Sequence, residues 1–123
     1  FNQSLALQQG AIHALRHCAA WPRTLHPVYR ERRDRVLSVL RSDGWSIPTP
    51  EMALYLWLPL PERLRQQGLN DETLVTRILQ SSGVALTPGS GFGPAGRDWL
   101  RMALVRPVDE LEQAAHRLLD ALR

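Results

Sequence analysis

LTPGSGFGPAGRDWLRMAL, residues 86 to 104, decides how the rest of this chain is read. Pro88-Gly89 opens a loop that also carries Gly91, Gly93 and Gly96, and the loop runs straight into a strand-like segment from Trp99 to Val105. Alternation puts Trp99, Arg101, Ala103 and Val105 on one face of that strand, and Leu100, Met102 and Leu104 on the other. A guanidinium among apolar neighbours is costly unless an anion meets it. Its planar fork suits a carboxylate held by two parallel bonds. Arg101 is therefore expected to be half of a carboxylate-binding site. The plainer alternative is a structural ion pair with Asp98 or Glu51.

Working outward, Pro107 starts a final helix with Asp109 and Glu110 in its first turn, where acids suit the dipole. Its core stripe is Leu111, Ala114, Ala115, Leu118, Leu119 and Leu122. Upstream of the loop, Val84 to Thr87 reads as a short strand. A helix capped by Asn70 or Asp71 precedes it, with Leu74, Val75, Ile78 and Leu79 facing inward and Gly83 closing it. Met52 to Leu58 (MALYLWL) reads as a strand apolar on both faces, as a covered strand would be. Glu62 to Gly68 is a polar loop or short helical turn, and Trp45 to Pro50 a short extended piece.

Two helices come first. One runs from about Gln3 to Cys18, with Leu7, Ala11, Ala14, Leu15 and Cys18 near one face. Trp21-Pro22 then breaks the chain. The second begins near Leu25 to Pro27, carries Leu25, Val28, Tyr29, Val36, Leu37 and Leu40 as its stripe, and stops at Asp43-Gly44. The order from Trp45 is β-β-α-β-β-α. Strands this short cannot bury a core alone, so the fold class is α+β: a small, largely antiparallel sheet packed by helices on one face.

Composition narrows the function. With 123 residues, 44% hydrophobic and 22% charged, the chain is an ordinary soluble domain with a modest core. No apolar run is long enough to span a membrane, and a net charge of +3 with interleaved signs is no nucleic-acid footprint. All 15 basic residues are arginine, so a reaction that needs a lysine Schiff base cannot rest on these residues alone. Cys18 is the one cysteine, which leaves no intrachain disulfide. The first residue is Phe1, and the chain is expected to be part of a longer polypeptide.

The pieces NQSLALQQGAIHAL, RERRDRVLSVLRSDGW, PEMALYLWLPLP and GVALTPGSGFGPAGRDWLRMAL, with the acid-started terminal helix, together resemble the C-terminal portion of fold-type I, class I/II aminotransferases dependent on pyridoxal phosphate. The resemblance covers essentially the whole chain, and PGSGFG followed by aromatic-Leu-Arg is its most specific part. It implies residues 1–19 as the end of a large cofactor domain, 20–44 as an interdomain helix and 45–123 as the small domain. It further implies that the cofactor is bound through a lysine absent here, that the full-length enzyme is a cytoplasmic homodimer, and that the fragment alone is inactive. The position of Arg101 is where such enzymes grip the carboxylate of an amino acid or 2-oxo acid. Gly91 stands where alanine is common and Trp99 where tyrosine is common. The LYLWLPLP run is similar to members acting on diaminopimelate-pathway substrates, N-succinyl-diaminopimelate above all.

The candidate substrate-binding residues are Arg101, Ser90, Gly91, Phe92 and Tyr55, with no catalytic, cofactor-binding or metal-binding residue assigned. Ser90, Gly91 and Phe92 are equally well read as turn residues. Tyr55 and Trp57 share one strand face; Trp57 is expected in the core. Asn2, Gln3 and Ser4 are an ordinary helix start, with a shared dimer site the alternative. His13 and His17 have the spacing of paired metal ligands but no third ligand nearby. The run Arg30 to Arg35 is expected to be a solvated face, Glu31 and Arg35 forming a helical pair. The competing function is a stand-alone α+β module that binds a small carboxylate, or a dimerisation element, without catalysis.

Overall fold

The computed structural model describes residues 4–52 and 54–123, so Asn2 and Gln3 lie outside it. Its helices are α1 (Leu5–His17), α2 (Trp21–Ser42), α3 (Glu62–Gln66), α4 (Asp71–Ser82) and α5 (Val108–Leu122). Its strands are β1 (Tyr55–Pro59), β2 (Thr87–Pro88) and β3 (Trp99–Ala103), in the spatial order β1-β3-β2 and antiparallel throughout. The expected α+β class is the observed one.

The strand nearest the Gly-rich loop is thus the centre of the sheet, and its alternation sorts the whole molecule. Leu100 and Met102 are buried and pair across to Leu58 and Leu56 on β1. Helices α2, α4 and α5 close over that face with Val36, Leu37, Val39 and Leu40, then Leu74 and Ile78, then Leu111, Ala115, Leu118, Leu119 and Leu122. Each such aliphatic side chain removed from water contributes about 1.5–3 kcal/mol before conformational entropy is subtracted. The opposite face, carrying Tyr55, Trp57, Trp99 and Arg101, takes no buried side chain from these helices among the described residues, and Phe92 of the 3₁₀ turn after β2 reaches it. Fold and site are therefore two sides of one strand.

Local chemistry explains most helix ends. The Asn70 side chain accepts from the Thr73 N–H at 2.9 Å, and the Thr73 hydroxyl oxygen accepts from the Asn70 N–H, a reciprocal capping box. Gly83 ends α4 in the left-handed region at φ 70°, as its missing Cβ permits. Gly89 and Gly96 have a different task. A Cβ on either would overlap the carbonyl oxygen of the other, so the loop closes on itself only because both are glycine.

Several expectations need correction. Trp21-Pro22 does not interrupt the chain: it opens α2, because a proline in the first turn has no intrahelical N–H to lose. Pro27 then lies inside the helix on an exposed stretch. Trp45 to Pro50 forms no strand. Pro48 and Pro50 cannot donate to a ladder, and the segment is instead pinned by the Trp45 indole to the Pro59 carbonyl at 2.9 Å and by Arg41 to the Ile47 carbonyl. The order from Trp45 is accordingly β-α-α-β-β-α. Strand β1 is covered on one face only, and Trp57, expected in the core, is 37% exposed on the other. Leu79 is exposed, Val75 only partly buried, and among the described residues α1 has no buried side chain.

The RERRDR run is not uniformly solvated either. Arg32 donates to the Leu104 carbonyl and Arg33 to the Pro50 carbonyl, both at 3.0 Å, tying α2 to the chain beyond β3 and to the segment before β1. Arg35 lies 3.4 Å from Glu112 of α5 rather than pairing with Glu31. Both bonded arginines are half-buried, where a planar multi-donor group satisfies backbone carbonyls that a point charge would meet less well.

Asp71, the first residue of α4, is only 3% exposed. Its carboxylate accepts the Ser90 N–H at 2.7 Å and so fastens the Gly-rich loop to the helix start. Burial pushes this carboxyl up, but bonds from the Ser90 N–H and from the backbone of Asp71 and Asp98 outweigh it and hold the group below its ordinary 3.8. A depressed carboxyl stabilises the fold fully above 3.8, and that contribution is lost as pH falls through the lower folded value.

Two predictions follow from the loop. Asp71→Asn is expected to cost about 1–3 kcal/mol in denaturant unfolding at neutral pH and to flatten the loss of stability on acidification below 3.8. An unchanged acid limb would show that Asp71 is not the anchor. Gly89→Ala or Gly96→Ala should lose about 1–3 kcal/mol or more. Gly91→Ala, whose added Cβ meets nothing within 4 Å, should stay within about 0.5 kcal/mol.

Candidate functional site

Arg101 occupies the middle of the central strand, directly between Trp57 of β1 and Thr87 of β2. Side chains in that position stand on the open face, and the guanidinium reaches over it, half-buried. Its Nη2 donates to Thr87 Oγ1 at 3.3 Å. Its central carbon lies 4.3 Å from the centroid of the Tyr55 ring and 4.6 Å from that of Phe92. Two ring faces thus turn their negative quadrupoles toward one cation.

No carboxylate among the described residues lies within ion-pairing distance of Arg101. Asp98, one of the two acids considered as an internal partner, sits instead 4.0 Å from Arg65, and Glu51 is exposed. One hydroxyl bond and two rings leave donors of the five-donor fork free. That is the arrangement a guanidinium needs to receive a flat anion.

Of the other candidate residues, Tyr55 and Phe92 are brought to Arg101. Trp57 joins them, its ring edge-on to Phe92 at 5.5 Å and 78°. Trp57, Phe92 and Trp99 line a shallow hollow of about 440 Å³ with Pro48, Ala95 and Gly96. Ser90 points elsewhere: its hydroxyl donates to Glu72 at 3.2 Å, on the α4 side of the loop. Gly91 is exposed and touches nothing that an alanine would disturb. Ser90 and Gly91 therefore shape the loop, whereas Phe92 projects from it.

Sequence reading missed Thr87, Asp71 and the exposure of Trp57. Thr87 is found only once β2 is known to pair with β3, a register set by the loop closure rather than by its own neighbours. Asp71 carried a legible cue as a first-turn acid, but its reach to residue 90 is tertiary. The His13 and His17 rings lie 4.6 Å apart between centroids, tilted by 42°, and among the described residues no cluster of three metal-ligating side chains occurs. With no lysine in the chain, these residues do not fit covalent attachment of pyridoxal phosphate.

Comparison with known proteins bears on the whole chain. The family described as aminotransferase class I and II matches residues 2–118. The chain is 40% identical over 113 residues to an LL-diaminopimelate aminotransferase of Oleidesulfovibrio alaskensis, covering 92% of this chain and 28% of that protein. An LL-diaminopimelate aminotransferase of Dehalococcoides mccartyi is 36% identical over 91 residues, covering 74% of this chain and 22% of its own length. Among solved structures, a probable N-succinyldiaminopimelate aminotransferase of Thermus thermophilus superposes with a TM-score of 0.83 at 38% identity, over 98% of this chain and 31% of that one. An aromatic aminotransferase of Pyrococcus horikoshii gives 0.67 at 31% identity, over 76% and 24%. The chain spans under a third of the length of these relatives. Its sequence and its fold agree on where it stands: the chain belongs to the class I and II aminotransferase family.

Proposed function

We propose that this chain is the C-terminal part of an aminotransferase and that Arg101 receives the carboxylate of an amino acid or 2-oxo acid. The observation that carries the reading is the half-buried guanidinium at the centre of the sheet, with ring faces and a hydroxyl around it and no acid beside it among the described residues. A carboxylate fixed there by two parallel bonds has its adjacent carbon held in one orientation, so that the amino or oxo group is aimed consistently. Pyridoxal phosphate would supply the electron-sink chemistry from residues outside this chain.

The same reading takes residues 1–19 as the end of the cofactor domain, 20–44 as the interdomain helix and 45–123 as the small domain of a cytoplasmic homodimer. Exposure along α1 supports it: Leu5, Leu7 and Leu15 are 70%, 69% and 82% exposed, as apolar residues are before a larger body covers them. Diaminopimelate-type substrates are the first to try, because the relatives at 40% and 38% identity carry those names.

In the intact protein, Arg101→Ala should raise KM and lower kcat/KM by about 100-fold or more, leaving the cofactor absorbance unchanged. Steady-state kinetics against an amino acid and 2-oxo acid pair check this. Wild-type kinetics in that variant would overturn the assignment.

A further inference from the structure

We infer that Tyr55 and Phe92 are positioning residues for Arg101: they hold the guanidinium ready for its anion rather than forming walls that touch the bound acid. The inference rests on the reading of Arg101 as the carboxylate receiver and adds the device that keeps it in place.

A long arginine side chain on an open sheet face has many rotamers, and fixing one has an entropic cost. Arg101 has a single hydrogen bond to restrain it, 3.3 Å from Thr87, and no ion pair among the described residues. The restraint it does have is aromatic. Tyr55 approaches from β1 and Phe92 from the turn after β2, so the two rings come from opposite flanks of β3. Their distances of 4.3 and 4.6 Å lie well inside the range in which a ring quadrupole attracts a cation.

Phe92 would be free to swing, since it is 52% exposed at a loop, but its ring meets the Trp57 ring edge-on at 5.5 Å. Trp57 in turn is the cross-strand partner of Arg101. The loop below Phe92 is locked by the Gly89–Gly96 closure and the Asp71 bond to Ser90. The aromatic brace is therefore continuous from the sheet, through Trp57 and Phe92, to the guanidinium.

Ring stacking needs only a π face. Tyr55→Phe should therefore preserve the brace, and Tyr55→Leu or Phe92→Leu should remove half of it while keeping an apolar residue on an exposed face. The test is titration of the isotope-labelled intact protein with acetate, binding being read from broadening of the acetate methyl signal, with Arg101→Ala as reference, and side-chain order from the Arg101 Nε–Hε resonance of wild type and the ring variants. In the acid-free chain the Nε–Hε signal should be ring-current shifted and motionally restricted, and each leucine variant should relax it toward a free arginine. Acetate affinity should fall about 3- to 10-fold in each leucine variant and stay at wild type in Tyr55→Phe. Circular dichroism confirms that the variants keep their fold. If Arg101→Ala abolishes acetate binding but both leucine variants bind and move like wild type, the positioning role is wrong. If acetate broadens to the same extent with wild type and with Arg101→Ala, the underlying carboxylate reading fails instead.

Discussion

A single constraint organises the chain: a strand of period two must serve a core on one side and a cation on the other. β3 lies between β1 and β2, so its inward residues Leu100 and Met102 are committed to the hydrophobic contact with α2, α4 and α5. The outward position between them is then fixed to within a pleat. Arg101 cannot retreat into the core without unpairing the central strand, and it finds no acid beside it among the described residues. What it does find are two ring faces and a hydroxyl, enough to orient a charge and too little to neutralise it. The proposal that a carboxylate meets this charge is supported both by the aminotransferase family membership and by the lack of an acid beside Arg101 among the described residues.

The arginines elsewhere have a different role. Arg32, Arg33 and Arg41 donate to backbone carbonyls of Leu104, Pro50 and Ile47, and so bind α2 to the irregular chain on either side of the sheet. A guanidinium can make such bonds while its aliphatic stem lies along apolar surface. The contrast with Arg101 is informative: these three point at carbonyls of the scaffold, whereas Arg101 meets one hydroxyl and two ring faces among the described residues. Charge alone does not mark the site; the kind of partner does.

Much of this was legible in the sequence. The alternation of Trp99 to Leu104 reveals both faces of β3, the choice of Asn70 or Asp71 together with Gly83 brackets α4, and Leu111 to Leu122 mark the core stripe of α5. Misreadings arose where tertiary context overrides local pattern. Trp57 has the composition of a core residue, but the sheet is covered on one side only, and that is decided by helices far along the chain. Trp21-Pro22 reads as a break or as a first turn depending on what lies upstream. At the site, Arg101, Tyr55 and Phe92 could be proposed from sequence, but Thr87 and Asp71 depend on pairings across 14 and 19 residues. Ser90 and Phe92 both lie in the glycine-rich loop and read alike in sequence, but the 3₁₀ turn at Gly89–Phe92 directs them to different sides.

On the proposed function, the guanidinium on the open face takes up an external acid. The most direct measurement is a crystal structure of the intact protein soaked with a 2-oxo acid. The account predicts the acid's carboxylate in the plane of the Arg101 guanidinium, held by two N–H···O bonds of about 2.7–2.9 Å, with Thr87 still in contact. Arg101 paired with an internal aspartate or glutamate, and the acid bound elsewhere, would contradict it.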